Sequence, residues 1–318
     1  ILELKEIFVP CFMVNKGRST FAAIMSKKQL ALLIFIALVL IWGTSFMLMK
    51  QALNGFNGIE IGAMRILFAT CFVTVIAWPH RKNWRRKDGK HLAIVGLIGN
   101  SLPYLLFPIA IAYVPSGVVG VANSTTPLFT LIIGVIAFRK RLSTMGSMGV
   151  LVGLVGAIIL IAPWSDHGGE SQQWGYLSLA IIASACYGLS VNTMGSFLGH
   201  LKPRTLTMFA LWIASIPSIG ILLYRQPWQR IDSLIDVSQP LAAIAFLGIV
   251  STGIATILFV RLIKLSSPLM AASTTYLIPI VALFLGFIDG EALELHHLVG
   301  MAGILLGVYF VNAQKKAS

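Results

Sequence analysis

Apolar runs close to 20 residues long recur from one end of this chain to the other, separated by short polar pieces. A helix needs about 20 residues to cross roughly 30 Å of hydrocarbon, so each run has the length of a membrane span. Hydrophobic residues make up 57% of the 318 and charged residues 11%, with a mean hydropathy of +0.86. A soluble protein of that size needs a polar shell that this composition cannot supply. The expected fold is an all-α integral membrane protein. The spans fall near 29–49, 59–79, 92–112, 117–138, 145–163, 174–195, 205–224, 240–260, 269–288 and 296–312, about ten in all. Only "YVPSG" separates the third from the fourth, so nine spans with one long broken helix is the alternative.

A net charge of +13 would point to nucleic acid in a soluble protein, but here its distribution has another meaning. With the N-terminus placed in the cytoplasm, 20 of the 24 Lys and Arg residues fall in cytoplasmic segments and three outside, leaving Arg65 within a span. Six of the 20 lie in "RKNWRRKDGK" between Arg81 and Lys90. Ten spans with both termini inside obey the positive-inside rule at every loop. The basic excess is thus an orientation signal, with the lipid bilayer as partner and no nucleic acid. Residues 1–28 form an N-terminal cytoplasmic tail without the features of a secretory signal. The stretch "MSKKQLALLIF" from Met25 looks like a natural start, which leaves residues 1–24 either native or an upstream extension. The three cysteines, Cys11, Cys71 and Cys186, have no metal-ligand spacing and read as small packing residues. No metal or cofactor is expected.

The chain is also written twice. Trp42, Ser45 and Met49 occupy one helical face at i, i+3 and i+7, and a shift of 145 places Tyr187, Ser190 and Met194 in the same pattern. A shift of 152 carries Asn100 onto Thr252, Tyr104 onto Thr256, Asn123 onto Thr275 and Pro127 onto Pro279. A shift of 151 carries Gly149 onto Gly300 and Gly156 onto Gly307. Five spans per half is an odd number, so the halves enter the membrane from opposite sides as an inverted-topology repeat. The first five-helix repeat covers 29–163, a periplasmic linker 164–173, the second repeat 174–313 and a cytoplasmic tail 314–318. Such folds hold their substrate near the midplane, where the repeats meet.

The stretches "IWGTSFMLMKQAL", "MRILFA", "AIAYVPSGVVGVANSTTPLFTLIIGVI" and "GVLVGLVGAIIL" resemble the EamA-type transporters of the drug/metabolite transporter (DMT) superfamily. The second half echoes them in "LIKLSSPLMAASTTYLIPIVALFLGFIDGEAL" and "GMAGILLGVYFV". The resemblance spans about residues 30–313. It implies ten helices in two repeats and, in most members, export across a bacterial inner membrane by alternating access. It does not specify a substrate. One departure is Lys140, which stands where the family commonly has a glutamate after the fourth span; Glu291 holds the matching place in the second half. Lys140 is expected to alter local ion pairing at the membrane surface, not transport chemistry.

Polar groups inside apolar spans need partners, because a bilayer has no water to offer them. "ANSTTPLF" (122–129) and "ASTTYLIP" (272–279) concentrate such groups in matching spans. Pro127 lacks a backbone N–H and frees the carbonyl of Asn123. The expected cavity-lining or substrate-binding residues are Trp42, Ser45, Asn100, Tyr104, Asn123, Thr126, Tyr187, Ser190, Thr252, Thr275 and Tyr276, with helix kinks at Pro103, Pro127 and Pro279. Arg65, the intramembrane charge, has two readings. It either bonds helix-end carbonyls or snorkels toward the surface, or it anchors a substrate carboxylate. Gly149, Gly153, Gly156, Gly303 and Gly307 allow close helix packing, either within the scaffold or along a homodimer seam, so the protein reads as a monomer or a homodimer.

None of the 11 acidic residues falls in the middle third of a span, and every His lies at a span end or in a loop. A buried carboxylate relay for protons is therefore not expected, and facilitated diffusion or exchange is. With no His-Glu-x-x-His and no deep carboxylate pair, an intramembrane enzyme is disfavoured. The functional expectation is a non-enzymatic inner-membrane transporter exporting small metabolites such as amino acids. An uptake permease or exchanger of a nucleobase-like, sugar-like or drug solute is the alternative, and a receptor is the remote one.

Overall fold

The computed structural model describes residues 26–81, 84–114, 116–141, 144–161, 171–230, 236–288 and 295–313. The tail 1–25, most of the linker 164–173, the C-terminal 314–318, Cys11 and Glu291 lie outside these residues. The described residues are helical with no strand. We label the helices α1 (Lys27–Ala52), α2 (Gly58–Ala77), α3 (89–111), α4 (116–136) and α5 (Thr144–Ile161). The second half follows with α6 (Ser171–Phe197), α7 (Pro203–Arg225), α8 (238–265), α9 (268–288) and α10 (Leu295–Ala313). Six of them (α1, α2, α3, α6, α7 and α8) are long and apolar enough to cross a membrane, and the other four contribute shorter apolar helices.

Helix starts follow local chemistry. Ser26 and Gln29 form a reciprocal capping box at α1, and Asn57 and Glu60 form another at α2. Pro203 opens α7, where a missing N–H costs nothing. The third apolar run ends at Ile111 and the fourth begins at Ser116, so the two are separate helices.

Four of the described helices are interrupted, α3 and α4 in the first half and α8 and α9 in the second. In α3 an eight-residue π segment, Ile94–Ser101, precedes Leu102–Ile111, and in α8 an eight-residue π segment, Leu247–Ile254, precedes Ala255–Leu265. Helix α4 breaks between Asn123 and Thr126, and α9 breaks at Ser273. Pro103 and Pro127 each stand in the first turn after an interruption. Pro279 does not mark an interruption: Thr274–Ile288 runs through it, and the break in α9 sits six residues earlier, at Ser273. The carbonyl that Pro279 frees, Thr275 O, is taken up by the Ser124 hydroxyl at 3.2 Å, so the helix continues without a polar debt.

Helices α5 and α10 pack directly through glycine. A Cβ at Gly149 would stand 2.7 Å from Gly307 O, and one at Gly156 would stand 2.6 Å from Ile304 N and 2.9 Å from Gly300 O. As numbering rises along α5 it falls along α10, so the two helices are antiparallel. Gly149, Gly153, Gly156, Gly303 and Gly307 are thereby consumed within one chain, and a homodimer seam through them is not available. Cys71 is exposed, not buried as the sequence implied, and Cys186 is half-buried.

Two large apolar clusters flank the centre. One gathers Phe35, Leu38, Val191, Met194, Leu198 and Ala255; the other gathers Phe46, Met49, Phe107, Ile244 and Ile278. Trp42 packs against both, and a cavity opens where they meet.

Candidate functional site

The cavity is narrow, with about 70 Å3 open to the centres of water-sized molecules. Trp42, Ser45, Arg65, Asn100, Tyr104, Asn123, Thr126, Tyr187, Ser190 and Thr275 all line it. Of the 20 lining residues, 16 fall into eight pairs related by the two shifts read from the sequence. Trp42, Ser45, Phe46 and Met49 correspond to Tyr187, Ser190, Val191 and Met194; Tyr104, Phe107, Asn123 and Thr126 correspond to Thr256, Phe259, Thr275 and Ile278. Arg65, Gly99, Asn100 and Ala272 stand outside the pairing.

The polar lining is built by backbone defects. Pro127 cannot bond Asn123 O, and the Thr126 hydroxyl donates to that carbonyl at 2.7 Å. The Thr275 hydroxyl donates to Ala272 O at 2.9 Å beside the break in α9. In the π segment of α8, Ser251 O accepts from Trp42 Nε1 at 3.0 Å, which fixes the indole across the halves. The Tyr104 hydroxyl and Thr256 Oγ1 lie 3.2 Å apart. These two are repeat counterparts in contact with each other. The rings pack closely: Phe107 stacks on Tyr187 at 5.9 Å and Trp42 meets Phe259 edge-on at 5.2 Å.

Three expectations need correction. Tyr276 does not line the cavity. It is fully buried against α5 and α10, and its hydroxyl donates to Val150 O at 2.8 Å, so it serves the scaffold. Thr252 is absent from the lining because its hydroxyl is turned to Arg65 Nε, 2.6 Å away. Arg65 neither snorkels nor bonds helix-end carbonyls. It is only 4% exposed, donates to Thr252, approaches Met49 Sδ at 3.7 Å, and holds its guanidinium 4.6 Å from the centre of the Tyr104 ring. The sequence reading also missed Phe46, Phe259 and Ile278. Applying the shift of 152 to Phe107 and Thr126 would have reached the last two. Nothing in local pattern marks Phe46 apart from its neighbours.

Lys140, the departure from the family pattern, donates from Nζ to Asn192 Oδ1 at 2.9 Å, and Asn192 Nδ2 donates to Thr130 O at 2.8 Å. Lys140 thus enters a hydrogen-bonded tie between α4 and α6. At the helix ends, Glu60 pairs with Arg225 at 3.7 Å and Asp88 with His200 at 3.1 Å. Among the described residues no carboxylate lines the cavity, and no group of His, Cys, Asp and Glu is arranged to hold a metal.

The model of the EamA-like transporter family matches this chain twice, over residues 29–162 and 173–313. The chain belongs to the EamA-like transporter family. It is a multi-pass membrane transporter of the EamA type. An uncharacterized transporter of Archaeoglobus fulgidus is 27% identical, covering 86% of this chain and 95% of its own length. Protein PagO of Salmonella typhimurium is 21% identical over 90% and 93% of the two chains. A probable terminal-alkyne amino-acid exporter of Streptantibioticus cattleyicolor is also 21% identical, over 86% and 90%. A solved structure, titled only as the crystal structure of a protein, aligns with a TM-score of 0.70 at 17% identity, covering 91% of this chain and 99% of its own. That likeness concerns the fold of this EamA protein alone.

Proposed function

We propose that this EamA protein exports small amphipathic metabolites, amino acids among them, across a bacterial inner membrane by alternating access. In this reading ten spans form two inverted five-helix repeats, 29–163 and 174–313, with both termini cytoplasmic and the cavity between the repeats as substrate site. The observation that carries it is the pairing of the lining: eight residues of each half face one space. An inverted repeat is supported by the antiparallel α5 and α10, whose contacts are reciprocal. Gly149 meets Gly307, the counterpart of Gly156, and Gly156 meets Gly300, the counterpart of Gly149. Contacts that map onto themselves when the halves are exchanged are those of a two-fold axis. Two nearly equivalent halves offer two nearly equal packings, one open to each side.

Export is favoured over uptake by the amino-acid exporter among the relatives. The absence of a carboxylate from the lining, among the described residues, favours facilitated diffusion or exchange over proton coupling. The test is counterflow in proteoliposomes with a panel of amino acids, nucleobases and sugars. Asn123→Ala, which removes an amide from the wall and the acceptor of a 3.3 Å bond from Thr126, should slow exchange roughly tenfold, the worth of about one hydrogen bond. If a folded protein exchanges nothing on a broad panel, the reading is wrong.

A further inference from the structure

We infer that the cavity selects solutes bearing a carboxylate, held by Arg65 and Asn100, and discriminates against the corresponding amides and amines. The inference rests on the cavity being the substrate site and names the chemistry of what enters it. Its starting point is the break in symmetry. The paired residues furnish rings, hydroxyls, an amide and apolar walls, whereas the single cation comes from an unpaired position in α2.

Arg65 is a permanent charge, and an unpaired cation in the hydrocarbon region is strongly disfavoured. Its neighbours are all neutral: the Thr252 hydroxyl, the Met49 sulfur and the Tyr104 ring. Among the described residues no carboxylate meets it, and the two acidic side chains in ion pairs, Glu60 and Asp88, are engaged with Arg225 and His200. The protein thus leaves a buried cation at the wall of a cavity for something else to neutralise.

The second observation concerns hydrogen-bond donors. Asn100 is 4% exposed, lines the same cavity, and its Nδ2 has no partner among the described residues. A buried amide N–H without an acceptor is costly unless a ligand supplies one. Elsewhere in the wall Ser45 donates to Ile41 O, Thr126 to Asn123 O, Thr275 to Ala272 O and Trp42 to Ser251 O, while the Ser190 and Tyr187 hydroxyls and Asn123 Nδ2 make no such bond among the described residues. What remains on offer is a planar cation together with amide N–H and hydroxyl donors, and their common complement is a carboxylate. The body of such a solute would lie on the rings of Phe107, Tyr187 and Phe259, so the class is a monocarboxylate with an apolar or aromatic body.

Thermal stabilisation of the purified full chain by 3-phenylpropanoate, 3-phenylpropanamide, L-phenylalanine, L-phenylalaninamide and 2-phenylethylamine tests the claim. The two acids should stabilise saturably, each binding at least tenfold more tightly than its amide or the amine. Arg65→Gln should weaken the acids by about ten- to a hundredfold, the loss of a charged hydrogen bond, while Arg65→Lys keeps the preference for acid over amide. Asn100→Asp, which sets a like charge beside the carboxylate, should weaken the acids as well. No stabilisation by either acid, equal binding of amides and acids, or unchanged acid affinity in Arg65→Gln overturns the inference. If Arg65→Gln does not fold, the ranking on the unaltered chain still decides. Counterflow of the same labelled solutes separates this claim from the transport reading. Acid-selective binding without flux of any solute sinks transport alone, and equal flux of acid and amide sinks the selectivity alone.

Discussion

Replacing Gly307 with alanine adds one methyl group, and the seam between α5 and α10 determines what it costs. The new Cβ would stand 2.5 Å from both Cα and N of Gly153 and 2.7 Å from Gly149 O. Ordinary contact begins near 3.4 Å, and every atom in the way is backbone of the facing helix, which cannot rotate aside as a side chain would. The helices must therefore part by about 1 Å along a seam that holds the two halves together. Overpacking of this kind costs about 1–3 kcal/mol or more, while alanine returns up to about 1 kcal/mol through its helix propensity. The net expectation is a loss of about 1–2 kcal/mol and a melting temperature lower by a few degrees. Gly220→Ala in α7 is the matched control, because nothing lies within 4 Å of its added methyl. There only the propensity gain acts, and the melting temperature should hold or rise. The assay is thermal unfolding of both variants in one detergent. If Gly307→Ala melts at or above the unaltered protein, the seam does not carry the close contact assigned to it.

Tyr276→Phe keeps the ring and deletes the bond to Val150 O, so it should cost about 0.5–1.5 kcal/mol in melting experiments yet leave counterflow within twofold. A transport defect without a stability loss would return Tyr276 to the cavity wall. Burial lowers the Lys140 ammonium below its ordinary pKa. A group held less tightly protonated when folded than when unfolded makes stability rise with pH, from the folded pKa up to the unfolded value near 10.4. Lys140→Met should flatten that slope, measured as melting temperature against pH, and an unchanged slope would assign it to another group.

Much of the site was legible because a repeat carries its own internal comparison. Trp42 and Tyr187, or Asn123 and Thr275, can be matched by shifts of 145 and 152 without any knowledge of where the helices lie. The misreadings share a cause. Tyr276 follows Thr275 in a polar stretch, but one residue turns a helical side chain by about 100°, and that rotation carried it from the cavity wall to the α5–α10 seam. Thr252 matches Asn100 in sequence, yet Arg65 from α2 claims its hydroxyl. A shift applied along the chain cannot foresee a partner that has no counterpart in the other half.

The sequence by itself determined the solvent, the helical class and the doubling, since each follows from the length, polarity and spacing of runs along one dimension. It also located the polar groups that a bilayer would not tolerate without partners. Only the tertiary structure decided which of those groups satisfy one another and which are left facing a space. Asn100 and Thr252 hold matching places in the chain, but Arg65 bonds Thr252 and leaves the Asn100 amide open. That distinction depends on a side chain arriving from a third helix, and distances between helices are set by packing, not by order in the chain.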